Sequence, residues 1–240
     1  MARLILIRHG QSLWNAENKF TGWVDSPLSK RGELEAKKAG KYIKENNIII
    51  NSSYTSLLTR AISTLKIVLL ESNMANIEII KTWQLNERHY GSLTGQIKSE
   101  VKKKLGDNLF LKYRRSWDVA PPAISSEDPN IKSYSKLNNL IPKNKIPMTE
   151  SLKDTYNRVV SFYERNIVSL INKNQTVIIA AHGNSLRALC KYLFKISDKE
   201  INSLEIPTGN PMIVSFRTDS IIENAYYMDS ERACPIWKLN

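Results

Sequence analysis

The chemically capable positions of this chain gather around two His-Gly pairs. Arg8-His9-Gly10 closes a short apolar run near the amino terminus and continues as Gln11-Ser12-Leu13-Trp14-Asn15. Ala180-Ala181-His182-Gly183-Asn184-Ser185 closes a second apolar run late in the chain. A strand that runs out into glycine leaves the preceding side chains at the carboxyl end of a sheet, where open α/β folds place their ligands. One such tripeptide is weak, because it arises by chance in many chains. Two at strand ends are harder to dismiss, since one sheet edge can bring both imidazoles together.

Between the two pairs lie Arg60, in Thr59-Arg60-Ala61, and the block Leu85-Asn86-Glu87-Arg88-His89-Tyr90-Gly91. Only 12 of the 35 basic residues are Arg, yet Arg8, Arg60, Arg88, Arg114 and Arg115 all fall in or near these blocks. The guanidinium fork bonds phosphate and carboxylate oxygens in a way Lys cannot reproduce. The grouping points to a site for a multiply charged anion.

The elements that must carry these residues alternate. Ala2 to Ile7, Ser52 to Ser56, Ile77 to Lys81 and Thr176 to Ala181 read as strands, the last a continuous apolar run suited to a strand covered on both faces. Helices are predicted near Lys30 to Glu45, from about Leu57 to Met74, over Ser151 to Ile171 with a Ser151–Asp154 capping box, and along the stripe Leu186, Leu189, Cys190 and Leu193. The pattern predicts an α/β fold with mostly parallel strands. From about 93 to 147 the chain turns polar and Lys-rich, with Pro121-Pro122 and Pro129, and reads as an insertion with short helices near Lys98 to Leu105 and Leu109 to Trp117. Lys102-Lys103-Lys104 fits a solvated helix face, and Trp14, Trp23 and Trp83 fit core or wall positions.

The 240 residues accommodate one large domain or two small ones, and the 42% hydrophobic and 24% charged fractions exclude wholesale disorder. The net charge of +12 admits nucleic acid, an acidic membrane surface or an anionic small substrate as partner. Leu4 to Ile7, flanked by Arg3 and Arg8, is too short for a signal peptide or a spanning helix, so a soluble cytoplasmic protein without a membrane partner is expected. Two cysteines, Cys190 and Cys234, are too few for a disulfide framework, and three scattered histidines argue against a structural zinc site. No zinc-finger, helix-turn-helix or RNA-binding aromatic motif accompanies the spread lysines, which argues against nucleic acid.

The blocks RHGQSLWN, FTGWVDSPLS, YTSLLTRAISTL, LNERHYGSLTG, YRRSW, TESL, AAHGNSLRAL and IPTGNP, in this order from about Arg3 to Tyr227, resemble the histidine phosphatase superfamily. Within it, the chain is similar to the cofactor-dependent phosphoglycerate mutases. The resemblance implies a three-layer α/β/α fold with a mostly parallel central sheet, as a single catalytic domain over residues 1–240. It implies interconversion of 3-phosphoglycerate and 2-phosphoglycerate in glycolysis and gluconeogenesis, primed by 2,3-bisphosphoglycerate, without a metal. His9 would accept the phosphoryl group, which requires a neutral imidazole, and a pocket of several Arg disfavours the imidazolium. His182, Arg8 and Arg60 would bind the transferred phosphoryl oxygens, and Glu87 would carry the proton of the attacking or leaving hydroxyl. Arg88, Tyr90, Lys98, Arg114 and Arg115 would hold the substrate's carboxylate and second phosphate, while Ser12, Asn15, Thr21, Gly22, Gly183 and Asn184 line the pocket. The family precedent also implies a homo-oligomer, dimer or tetramer.

Each position has a plainer reading: satisfied strand-end histidines for His9 and His182, an ion pair for Glu87, a surface lysine for Lys98. His89 is read as structural, because the mechanism asks for two histidines at phosphorus. Two segments depart from the family pattern: Ile131 to Tyr134 lacks the usual Arg-Tyr pair, and the chain ends Ser230 to Asn240 rather than in a Gly-, Ala- and Lys-rich tail. A lid that excludes water governs whether phosphohistidine is passed on or hydrolysed, so a phosphatase of the same superfamily is the nearest alternative. YRRSW and Lys98 argue against it, since a simple phosphatase has no need to grip a distant carboxylate.

Overall fold

The computed structural model describes all residues except 133, 135, 136, 138, 218–220 and 236–240. Part of the Ile131 to Tyr134 departure and the end of the Ser230 to Asn240 tail therefore lie outside the described residues. Six strands form one sheet: β1 (Ala2–Arg8), β2 (Ser52–Thr55), β3 (Ile79–Lys81), β4 (Thr176–Ala181), β5 (Met212–Phe216) and β6 (Ile222–Tyr227), in the order β3-β2-β4-β1-β5-β6. β3, β2, β4 and β1 are mutually parallel, whereas β5 and β6 pair antiparallel. These last two strands were not anticipated: MIVSF is a short buried run, and IENAYY alternates only weakly on the sheet edge.

Side chains on a strand point to opposite faces in turn, and both faces of β1 and β4 are covered. Ile5, Ile7, Ile178 and Ala180 pack against Ala39, Ile43, Leu65 and Val68 of the Lys30–Glu45 and Thr59–Glu71 helices. Leu4, Leu6, Val177 and Ile179 pack on the other side against Val159, Tyr163, Leu186 and Leu189 of the Leu152–Asn166 and Gly183–Leu193 helices. Helices on both faces make the three layers, and the near-continuous hydrophobic run of each central strand follows from that double burial. The Ser151–Asp154 capping box forms as expected. The predicted Ser151 to Ile171 helix breaks at Ile167 into Leu152–Asn166 and Val168–Asn172.

Residues 93 to 147 contribute no strand among the described residues. The two expected short helices merge as Lys98–Arg115, with non-helical Gly106 at φ 74° and ψ 162° between them. Only glycine adopts that backbone without strain. Val101 and Phe110 anchor this segment on Phe20 and Leu93, while Lys102, Lys103 and Lys104 face solvent. Tyr134, Leu137 and Ile141 seal a second cluster around Trp23, with Trp14 and Trp83 packed beside it.

The turn after β1 is set by a reciprocal close approach. A Cβ on Gly10 would meet the Gly32 carbonyl oxygen at 2.2 Å, and one on Gly32 would meet the Gln11 carbonyl oxygen at 2.1 Å. The first turn of the Lys30–Glu45 helix thus presses against the backbone that follows His9. Gly32→Ala is expected to cost about 1–3 kcal/mol in urea unfolding, the usual range for overpacking, and to lower activity by shifting residues 9–11.

Candidate active site

The parallel register pairs Arg8 of β1 with Ala181 of β4, so the next residue of each strand leaves the sheet beside the other. His9 N donates to the Ala181 carbonyl at 2.9 Å, and the His9 and His182 ring centroids lie 5.0 Å apart. Both rings are buried. β2 flanks β4 on its other side, so the chain leaving it delivers Ser56, whose Oγ lies 2.7 Å from His182 Nε2. The Thr59–Glu71 helix that follows brings Arg60.

Hydrogen bonding selects the His9 tautomer. Nδ1 lies 2.7 Å from the Gly10 carbonyl oxygen, which only accepts, so Nδ1 carries the proton. Arg60 Nε, which only donates, lies 3.3 Å from Nε2, which therefore presents its lone pair. Burial, then the charges of Arg60 and Arg8, hold His9 well below the ordinary 6.5, so the ring is neutral at pH 7. This is the form in which imidazole attacks an electrophile. His182 is likewise held well below 6.5, by burial first and then by Arg60 and His9. Its Nδ1 is buried and has no hydrogen-bond partner among the described residues. Arg60 is locked by bonds from Nη1 to the Val24 carbonyl at 2.9 Å and from Nη2 to the Gly22 carbonyl at 2.8 Å.

A cavity opens beside the histidine pair. Of the expected residues, Arg8, His9, Asn15, Thr21, Gly22, Arg60, Glu87, Tyr90, Lys98, Arg114, Arg115, Gly183 and Asn184 line it. His182 stands behind His9, reaching the site through its ring contact. Two expected residues do not reach the wall. Ser12 is wholly buried and its hydroxyl accepts from Asn15 N at 3.1 Å, capping the one-turn helix Leu13–Ala16. Arg88 is wholly buried with its Nη2 donating to the carbonyls of Tyr113 and Arg114, and its guanidinium lies 4.7 Å from the Tyr90 ring centroid. It supports the wall from behind. His89 also lies away from the cavity, its Nδ1 accepting from Gly91 N at 3.0 Å and its ring against Trp23 and Tyr134.

Four lining residues escaped the sequence reading: Lys19, Arg187, Glu205 and Ile206. Arg187 had a legible signal, since it lies three positions after Asn184 on one helix face. Glu205 had none, because it comes from a loop and meets the cavity through an ion pair with Arg115. The lining carries Arg8, Lys19, Arg60, Lys98, Arg114, Arg115 and Arg187 against only Glu87 and Glu205. Burial and the neighbouring Arg114 and Arg8 charges lower the Lys98 ammonium to about 8. Such crowding is relieved by an anion, and the cavity is built for one with several charges. Among the described residues, no group of three or more His, Cys, Asp or Glu is placed to hold a metal ion.

Glu87 is held at two levels. Its Oε1 accepts from Arg88 N at 2.8 Å and from Asn184 N, in the first turn of the Gly183–Leu193 helix, at 3.1 Å. Its backbone carbonyl accepts from Trp23 Nε1 at 2.6 Å and Arg158 Nη2 at 3.0 Å. Arg158 also bonds the carbonyls of Gln84 and Asn86 and forks onto the Glu150 carboxylate, which uses all five of its N–H groups.

Arg158→Met would leave Glu150 as a buried unpaired charge and is expected to cost about 3–5 kcal/mol in urea unfolding at pH 7. Stability should also depend on the histidines. His9 and His182 lie well below 6.5 when folded, and burial takes His89 down to about 4. Below pH 6.5 the unfolded chain binds protons that the native state refuses, so this stability is full above that pH and falls as pH drops. A loss on the order of 1 kcal/mol per histidine per pH unit is expected between pH 6 and 5, read from urea midpoints.

The sequence matches the profile of the histidine phosphatase superfamily (branch 1) over residues 4–131 and 130–226. It is 49% identical to the 2,3-bisphosphoglycerate-dependent phosphoglycerate mutase of Pelagibacter ubique (strain HTCC1062), with 97% of this chain and 98% of the relative covered. It is 46% identical to the enzyme of the same name from Buchnera aphidicola subsp. Cinara cedri (strain Cc), over 94% and 98% of the two chains. In fold it is similar to a mycobacterial glucosyl-3-phosphoglycerate phosphatase in complex with VO3, at a TM-score of 0.71 and 19% identity over 94% of this chain and 96% of the other. The chain belongs to the histidine phosphatase superfamily, branch 1, and within it to the family of 2,3-bisphosphoglycerate-dependent phosphoglycerate mutases.

Proposed function

We infer that this protein is an isomerase that interconverts 3-phosphoglycerate and 2-phosphoglycerate, with His9 as the phosphoryl carrier. The observation that carries the assignment of the carrier is the His9 Nε2 lone pair, held bare of a proton at the floor of a cavity with seven cations. Arg8 and Arg60, with His182 beside His9, would bind the three oxygens of the phosphoryl group as charge redistributes in transfer. Glu87, at the wall beside Arg8 and Gly183, would give the leaving hydroxyl its proton and take one from the attacking hydroxyl. Lys98, Arg114, Arg115 and Tyr90 would hold the distal carboxylate or phosphate. That second cationic group favours a mutase over a phosphatase of simple monoesters, which has no distal anion to hold.

The same donor set fits a bisphosphorylated acid. Arg8 Nε is a buried donor in the cavity lining without a partner among the described residues, which suits an acid with many anionic oxygens. When bound, 2,3-bisphosphoglycerate supplies the phosphoryl group that primes His9. The reading includes a single catalytic domain, with residues 93–147 as an insertion that carries Lys98, Arg114 and Arg115 to the site. A homodimer or tetramer in the cytoplasm is inferred from the family resemblance alone; among the described residues, no helix is long and apolar enough to cross a membrane.

An enolase-coupled assay on metal-stripped protein, with and without 2,3-bisphosphoglycerate, tests the reading. Interconversion that rises with the bisphosphate and acid-labile labelling that disappears in His9→Ala are expected. Phosphate release without interconversion would replace the mutase by a phosphatase, and labelling retained in His9→Ala would falsify the carrier.

A further inference from the structure

Arg187 is 3% exposed, lines the cavity and was absent from the sequence-predicted site. Its Nη2 donates to the Ile201 carbonyl, its Nη1 donates to Asn184 Oδ1 at 2.9 Å, and its Nε has no partner among the described residues. Asn184 Nδ2 donates to Tyr90 Oη at 2.8 Å. The Tyr90 ring is fixed between Phe20, 4.9 Å away by ring centroids, and the Arg88 guanidinium.

We propose that Arg187 is a positioning residue that sets the polarity of the cavity wall toward the distal anion of the substrate, acting through Asn184 and Tyr90. A guanidinium can only donate, so the atom of Asn184 facing it must be the amide oxygen. The amide NH₂ is thereby turned to Tyr90, whose oxygen accepts from it. Having accepted, the phenol keeps its own O–H free to donate into the cavity. The three side chains form a one-way chain of donors that begins at Arg187, itself anchored by donating to the Ile201 carbonyl, and ends on whatever anionic oxygen the cavity holds.

Without Arg187 the direction is no longer imposed. The amide can turn over, present its oxygen to Tyr90 and accept the hydrogen bond of the phenolic O–H. The wall would then offer lone pairs where the substrate brings negative charge, losing one hydrogen bond and gaining a repulsion. Burial, then the Arg115 and Arg88 charges, lower the Arg187 guanidinium to about 9.

The inference rests on the phosphoglycerate reading and deepens it by separating the phosphoryl end of the cavity from the distal end. Arg187→Met is expected to raise KM for 3-phosphoglycerate about tenfold, the worth of one hydrogen bond to a charged group, with kcat within about twofold. Inhibition by orthovanadate, which occupies the phosphoryl end and has no distal anion, should change less than about twofold. In a Tyr90→Phe background, which has no phenolic proton to direct, Arg187→Met should add little further loss, because the two residues act in one chain. Should Arg187→Met not fold, Arg187→Lys serves: it should raise KM measurably alone and not in Tyr90→Phe. An unmoved KM, a parallel loss of vanadate inhibition, or KM effects that multiply in the double variant would each overturn the positioning role. A wild-type protein unable to interconvert the phosphoglycerates would instead overturn the underlying function.

Discussion

The parallel pairing of β1 with β4 is the constraint on which the site depends. It is an alignment of two backbone ladders, with Arg8 opposite Ala181, and it places two imidazoles from distant parts of the chain in contact. A slip of one residue would turn one ring to the opposite face of the sheet, because side chains alternate along a strand. Double burial of Leu4 to Ile7 and of Val177 to Ala181 prevents the slip, since it would exchange every inward contact at once. Because β2, β4 and β1 are parallel neighbours, their carboxyl ends meet at one edge, and Ser56, His182 and His9 arrive together. The antiparallel β5 has its entry at the same edge, so Gly209 N donates to the Arg8 carbonyl and the Ile206 carbonyl accepts from the Arg8 guanidinium.

Two kinds of buried charge are kept apart in this structure. Arg158 and Glu150 saturate one another and the carbonyls around Glu87, forming a closed unit with no capacity for a ligand. Arg8 and Arg187, by contrast, belong to a cavity lining whose cations outnumber its carboxylates. The first arrangement holds the loop around Glu87, and the second gives the cavity its excess of positive charge. Burial first, and then the same cations, keep the imidazoles neutral, so the arginines serve both binding and nucleophilicity.

Much of this was legible in the residues. The continuous apolar runs marked the central strands, the helical stripes marked the covering helices, and the blocks around His9, Arg60, Glu87 and His182 marked residues that the fold brings together at one sheet edge. Arg88 and Ser12 mark the limit of that reading. Both sit in motif blocks, yet one turns inward to the carbonyls of Tyr113 and Arg114 and the other caps a short helix. Sequence position shows that a residue is near a site without showing where its side chain points.

The amino-acid order by itself determined the local elements, the neutral-imidazole chemistry available to a His among arginines, and the family through its ordered blocks. Each of these depends on interactions among near neighbours in the chain or on residue type. Only the tertiary structure decided the direction of β5 and β6, the tautomer of His9, the joining of Lys19, Arg187 and Glu205 to the cavity, and the hydrogen-bond polarity running from Arg187 to Tyr90. These are set by contacts between segments far apart in sequence, whose geometry exists only once the sheet has closed its register and the core has packed on both faces.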